Sequence, residues 1–163
     1  MDVRPVAPDQ WPVLEWLWQA YAADLSAFRD SYPRPDGRFN HASLDDHRED
    51  AAAYLAWHDP DQGHGEVPVG FAVVSAGEHG EWHMMAFFVV RRMRGSGAAR
   101  DLALDVVAQH PGRWEIAFQD ENPTAARFWR RTADVAFPDG WREERRPVPG
   151  KPELPYDVWI LGG

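Results

Sequence analysis

The chain has 163 residues, 44 % of them hydrophobic, with nine tryptophans, no cysteine and a formal net charge of −9. That length suits one domain with a sizeable core, and the missing cysteines exclude disulfides, Cys-ligated zinc and a thiol nucleophile. No run of about 18 apolar residues is there to span a membrane, and Met1-Asp2-Val3-Arg4-Pro5 lacks the basic and apolar segments of a secretory signal, so a cytoplasmic protein with no membrane partner is expected. The charge is uneven: residues 1–66 hold 13 acidic and 5 basic side chains, residues 67–163 hold 13 and 12. The acidic half serves solubility or the attraction of a cationic substrate. The basic stripe that tracks a nucleic-acid backbone is missing, so no nucleic-acid partner is expected.

In chain order, Val3–Val6 reads as a short strand. Asp9 is placed to cap a helix carrying Leu14, Leu17, Trp18, Tyr21 and Leu25 at helical spacing, with Pro12 in the tolerant first turn. Ser31–Gly37 is a turn-rich loop. A second helix is expected over Leu44–Trp57, ending near His58-Asp59-Pro60. Val69–Ser75 and Glu81–Val90 read as strands joined by the hairpin tip Ala76–Gly80. Ala98–Gln109 is a helix with Ala99, Leu102, Ala103 and Val106 on one face, stopped by His110-Pro111-Gly112. Trp114–Phe118 is a short strand. Asn122-Pro123 opens another helix, Asn as cap and Pro at the first position. Trp141–Arg146 and Tyr156–Leu161 close the chain as strands across the Pro-rich link Pro147–Pro152. With no repeat and no domain-scale linker, a single mixed α/β domain over residues 1–163 is expected.

The densest chemical signal is Phe87-Phe88-Val89-Val90-Arg91-Arg92-Met93-Arg94-Gly95-Ser96-Gly97-Ala98-Ala99-Arg100. An apolar strand runs into a small, Gly-containing, cationic turn that opens a helix. Backbone N–H groups, a helix N-terminus and guanidinium groups meet there, which is the chemistry of a phosphate site. Two familiar phosphate loops fail: no Gly-Lys-Ser/Thr is present, and Arg100 stands where a dinucleotide loop needs its third glycine.

Arg94-x-x-Gly97-x-Ala99 resembles the Arg/Gln-x-x-Gly-x-Gly/Ala signature of the GNAT superfamily of acyl-CoA-dependent N-acyltransferases, and Val89 stands where that family has its fourth-strand valine. Asn122-Pro123-Thr124-Ala125-Ala126-Arg127-Phe128-Trp129 resembles the family's Asn-x-x-Ala-x-x-Phe/Leu-Tyr segment, again on a helix after the next strand. The resemblance spans about Val69 to Ala133. Trp114-Glu115, Phe128-Trp129-Arg130-Arg131 and Tyr21-x-x-Asp24-Leu25-Ser26-x-Phe28 further resemble a bacterial subgroup of acetyltransferases.

The resemblance implies an α/β (α+β) fold with a central, mixed, mostly antiparallel sheet, helices on both faces, and a splay between the family's fourth and fifth strands. Acetyl-CoA is then the cosubstrate, without a metal. The backbone of Arg94, Gly95, Ser96, Gly97, Ala98 and Ala99 is expected at its pyrophosphate, with Arg91, Arg92 and Arg100 reaching outer phosphates or forming a solvated rim. The backbone of Phe88, Val89 and Val90 is expected along pantetheine, an N–H near Val89 polarising the thioester carbonyl. Asn122 contacts pantetheine, caps its helix, or does both; Phe128 and Trp129 wall the thioester pocket. The acceptor amine must lose a proton. Glu81 and His83, of equal parity on their strand, are candidate bases, with Asp120 and Glu121 behind them. Tyr21 and Asp24, three apart on one helix face, are candidate acceptor-binding residues, Asp24 for a cation, although Tyr21 also reads as core.

Two departures from the family pattern stand out. Trp129 occupies a position where relatives often carry a Tyr that protonates the departing thiolate, and an indole does not titrate; Tyr156 is the alternative phenol. Ala86 occupies a position where relatives often carry a carboxylate. The expected activity is N-acetyl transfer to a primary amine of a small molecule or peptide by direct attack. The rivals are a GNAT-like acyl-CoA-binding module with impaired turnover, and an interaction domain whose tryptophans form an aromatic interface. A homodimer is plausible by family habit. The scattered histidines lack helical metal-site spacing.

Overall fold

The computed structural model describes residues 1–40, 44–45, 48, 51–60, 63, 65–148 and 156–163. Seven strands form one sheet: β1 (Asp2–Pro5), β2 (Ala51–His58), β3 (Val67–Ala76), β4 (Trp82–Val89), β5 (Trp114–Gln119), β6 (Trp141–Arg146) and β7 (Asp157–Gly162). Their spatial order is β1-β2-β3-β4-β5-β7-β6. Every neighbouring pair is antiparallel except β4 and β5. That parallel pairing covers only Trp82–Trp114, His83–Glu115 and Met84–Ile116. Beyond it β4 stays with β3 and β5 stays with β7, so the two strands part into the expected V.

Helix α1 (Trp11–Leu25) covers one face of the sheet; α2 (Ala98–Gln109) and α3 (Pro123–Ala136) cover the other. Alternation along the strands divides the core accordingly. Leu55, Phe71, Val73, Ala86 and Phe88 pack beneath Leu14 and Trp18 of α1. Tyr54, Ala72, Val74, Met84 and Val89 pack against Leu102 and Val106 of α2 and Trp129 of α3.

A bulge in β4 shifts this alternation. Val73 pairs with Ala86 while Val74 pairs with Met84, which leaves Met85 without a partner on β3. The extra residue returns His83 and Ala86 to the same face, the one α1 covers; a regular strand would separate them.

Two local expectations are corrected. Residues 51–58 form strand β2, not the second half of a helix; Leu44 and Asp45, within the expected helix, are helical. Ala51-Ala52-Ala53 favours helix by propensity, but β2 lies between β1 and β3 with Ala53 and Leu55 buried on one face and Tyr54 and Ala56 on the other. Two-sided burial outweighs so weak a preference. Asp9 does not cap α1. Pro8–Gln10 forms a 3₁₀ turn, and the Gln10 side chain instead accepts the Ala7 N–H at 3.1 Å. Part of the Pro-rich link Pro147–Pro152 lies outside the described residues.

Candidate functional site

After β4, Arg91–Met93 make a 3₁₀ turn, Arg94 is extended, and Gly95 and Gly97 adopt φ of +81° and +98° before α2 begins at Ala98. Only glycine takes that conformation without strain. The turn satisfies part of its own backbone. The N–H groups of Met93, Arg94 and Ser96 donate to Val90, Arg91 and Met93. The Ser96 hydroxyl donates to the Met93 carbonyl at 2.7 Å and accepts the Ala98 N–H at 3.3 Å. Among the described residues, the N–H groups of Gly95, Gly97, Ala99 and Arg100 are left without a backbone acceptor. A Cβ on Gly95 or Gly97 would meet nothing within 4 Å, so the space above them is open. Clustered N–H groups at a helix N-terminus bind anions.

Arg94 ties this turn to both neighbouring elements. Its Nε donates to the Val89 carbonyl at 3.1 Å, and its Nη2 donates to Asp24 on α1. Arg91 Nη2 donates to the same carboxylate at 2.8 Å. Burial pushes the Asp24 carboxyl up, but the Arg94 and Arg91 hydrogen bonds outweigh it and hold the group below its ordinary range. Tyr21, one turn earlier, packs edge-on to Trp18, Phe71 and Phe88 at 5.2, 5.7 and 6.4 Å. Burial pushes its phenol up to about 12.

The parted edge of β4 has a definite direction. Val90 donates its N–H to Val69 on β3 at 2.9 Å. Antiparallel alternation then turns Phe88 toward β3 as well, and turns Phe87 and Val89 toward the V. Since Arg94 occupies the Val89 carbonyl, the groups presented to the V are the Val89 N–H and both backbone groups of Phe87. Phe87, closer to the apex, stands out in the sequence for its bulk, which with Phe88 and Trp129 leans toward acetyl, but not for its backbone, whose direction depends on the register with β3. Its ring closes the V on the α3 side, 5.4 Å from Phe128 and 5.0 Å from Trp129. Trp129 is buried in that core cluster. Asn122 caps α3, accepting the Ala125 N–H at 3.0 Å, and stands at the open end of β5.

Glu81 and His83 lie together at the apex end. His83 Nε2 is 3.4 Å from Glu81 Oε1 and 3.7 Å from Glu115 Oε2. Glu115 accepts from Arg146 Nη1 at 2.7 Å. A hydrogen bond from its own backbone, together with the nearby histidines, holds the Glu81 carboxyl low against the opposing effect of burial. Glu115 escaped the sequence reading because only the β4–β5 register brings it beside His83. Asp120 pairs with Arg145, and Glu121 approaches Arg29 to 3.8 Å. Tyr156 is exposed just before β7. A concavity of about 430 Å³, lined by Glu81, Arg113, Glu115, Trp141, Arg142 and Leu161 among others, opens at the end of the sheet far from the phosphate turn. Among the described residues, no group of three His, Asp or Glu is arranged to hold a metal, and no helix is long and apolar enough to cross a membrane.

Solved structures share this architecture. An acetyltransferase of the GNAT family from Staphylococcus aureus superposes with a TM-score of 0.64 at 14 % identity, covering 98 % of this chain and 96 % of the other. A ribosomal-protein-alanine N-acetyltransferase from Brucella melitensis gives 0.63 at 15 %, covering 100 % and 99 %. A spermidine N-acetyltransferase chimera from Vibrio cholerae gives 0.58 at 13 %, covering 99 % and 95 %. No curated protein matches the sequence. The family model of the acetyltransferase (GNAT) family matches residues 11–133, most of the chain including the phosphate turn and the V, and the protein belongs to that family.

Proposed function

We propose that the protein transfers an acetyl group from acetyl-CoA to a primary amine of a small molecule or peptide, by direct attack on the thioester. The observation that carries this reading is the turn Gly95–Arg100, with four N–H groups lacking a backbone acceptor, set at the open end of a V whose β4 edge presents the Phe87 and Val89 N–H groups. The donor supplies an activated acyl carbon; the remaining roles fall to the chain. The Gly95, Gly97, Ala99 and Arg100 N–H groups hold the pyrophosphate, while the exposed Arg92 and Arg100 reach outward. Phe87 and Val89 pair with pantetheine, and one of their N–H groups stabilises the oxyanion at the carbonyl. Phe128 and Trp129 shield the thioester from the α3 side.

His83 receives the amine proton, and the Glu81 and Glu115 carboxylates on either side stabilise the charge it gains. Tyr21 and the Asp24–Arg91 pair border the acceptor side, with Asp24 acting through the guanidinium groups it holds. Thiolate departure needs no acid from Trp129, since a thiol leaving group is moderately acidic. A second reading, an acyl-CoA-binding module without turnover, is favoured by Trp129 and Ala86, which supply neither hydroxyl nor carboxylate.

Calorimetric titration with acetyl-CoA and CoA, on the protein and on Gly97→Trp, tests the first link. Micromolar binding that the bulky residue abolishes is the expected result. Absence of binding to the unaltered protein refutes both readings. Binding without acetylation of any amine leaves only the module.

A further inference from the structure

Met85 is held by neither strand that flanks β4. The bulge leaves it without a partner on β3, and the parallel pairing with β5 ends one residue earlier, at Met84–Ile116. It is the first β4 residue past that last pair, so it stands at the fork of the V. Its side chain is 39 % exposed, while Met84 and Ala86 on either side are 7 % and 4 % exposed. Met84 packs in the core under α2 and α3, Ala86 in the core under α1, and Met85 in neither. With helices over both faces of the sheet, solvent reaches the middle of β4 where β4 and β5 part. A bulge that re-aims a side chain beside a binding cleft has this effect.

The rest of the fork is small or turned away. The first β5 residue past the last pair is Ala117, and Ala86 is buried. The Phe87 ring packs on Phe128 and Trp129 at the α3 side. Among the described residues of β4 and β5 beyond the last pair, Met85 is the large apolar side chain that enters neither core. The phosphate turn follows the other end of β4. Pantetheine running down the V from that turn meets Val89, then Phe87, and its thioester end points at Met85. Phe87 and Met85 are two residues apart, about 7 Å along the strand. An acyl chain longer than acetyl extends into the space that the Met85 side chain fills. Methionine is flexible, so the limit it sets is graded: each added CH₂ displaces the thioether further.

We propose that Met85 sets the acyl-chain limit of the donor. Its side chain closes the fork behind the acetyl methyl and discriminates against propionyl and butyryl groups. This deepens the acetyl-CoA reading above and rests on it.

The test is calorimetric titration of the protein, Met85→Ala and Met85→Phe with CoA, acetyl-CoA, propionyl-CoA and butyryl-CoA. Each affinity is taken relative to CoA, which carries no acyl group, so a general loss of binding cancels. In the unaltered protein the ratio should fall roughly tenfold for each CH₂ beyond acetyl, the scale of one methylene in a tight apolar pocket. Met85→Ala should reverse the order, each CH₂ gaining up to about fourfold by burial. Met85→Phe overfills the fork and should weaken acetyl-CoA itself roughly tenfold against CoA. The proposal is overturned if the unaltered protein binds butyryl-CoA as tightly as acetyl-CoA, or if Met85→Ala binds CoA and keeps the native order. Should Met85→Ala fail to bind CoA, an unchanged acetyl-CoA ratio in Met85→Phe overturns it instead. Each of these results leaves CoA binding, and the reading beneath the proposal, in place. No binding of CoA or of any acyl-CoA to the unaltered protein overturns both.

Discussion

The Tyr54 hydroxyl lies 2.8 Å from His110 Nε2 and joins the middle of β2 to the residue that ends α2. The imidazole is buried, with the Trp82 ring 4.3 Å away, and burial pushes its pKa below the ordinary value. The unfolded chain therefore takes up a proton at His110 before the folded protein does. Stability should fall as pH drops below about 6.5, the ordinary histidine value, and continue to fall until the folded-state pKa is passed. The denaturant midpoint measured between pH 7.5 and 5 should show this slope, and His110→Gln should flatten it. Tyr54→Phe should cost about 1 kcal/mol at neutral pH, because Nε2 loses its partner. A midpoint insensitive to both changes would show that the pair is not coupled to folding.

Asn122 allows its cap to be separated from any ligand role. The cap uses only the side-chain oxygen, on the Ala125 N–H. Asn122→Asp preserves that bond and should leave the midpoint nearly unchanged, whereas Asn122→Ala should cost about 1 kcal/mol. If the amide NH₂ donates to pantetheine, both variants weaken acetyl-CoA binding; if Asn122 only caps, the Asp variant changes it little beyond the added charge. Chemical denaturation and calorimetry on the same two proteins distinguish these cases.

Asp24 places a carboxylate against two arginines of the phosphate turn. Asp24→Asn removes a negative charge from beside a proposed pyrophosphate site. Acetyl-CoA should bind several-fold more tightly at low salt, with the gain shrinking as ionic strength rises. The exposed part of the ion pair contributes little stability, so the unfolding free energy should fall by less than about 1 kcal/mol. Weaker binding at every salt concentration would mean that Asp24 serves chiefly to orient Arg94.

The same residues show what a sequence can reveal. The turn Arg94–Ala99, the helix Ala98–Gln109 and the Asn122 cap depend on short-range rules, glycine at positive φ and helix-end chemistry, and they were legible. The β2 strand was not, because Ala51-Ala52-Ala53 is extended through burial between β1 and β3, whose residues lie far away in the chain. Val89 was identifiable from its spacing to Gly97, but Phe87 was not, since the outward turn of its N–H follows from the β3 register. Glu115 and Trp159 were invisible as neighbours of His83. Their proximity requires the parallel β4–β5 pairing and the antiparallel β5–β7 pairing at once. The Met85 bulge belongs with them: nothing in Met84-Met85-Ala86 announces the extra residue that brings His83 and Ala86 onto one face.

His83 carries the most direct prediction about catalysis. It sits one residue before the last β4–β5 pair, between two carboxylates, on the side of the sheet away from Phe128 and Trp129. As the group that receives the amine proton, it should be needed for turnover and not for donor binding. His83→Gln, which keeps a polar side chain of similar reach, should lower kcat by roughly 10²- to 10⁴-fold while acetyl-CoA affinity stays the same. The deficit should shrink as pH rises, because more of the acceptor then arrives already deprotonated. Glu81→Gln should give a smaller loss of the same kind. Steady-state kinetics from pH 6.5 to 9.5, with calorimetry for the donor, decide the matter. A His83→Gln enzyme with unchanged kcat at neutral pH would move the proton acceptor elsewhere on the acceptor face, with Glu121 and Asp120 next in line.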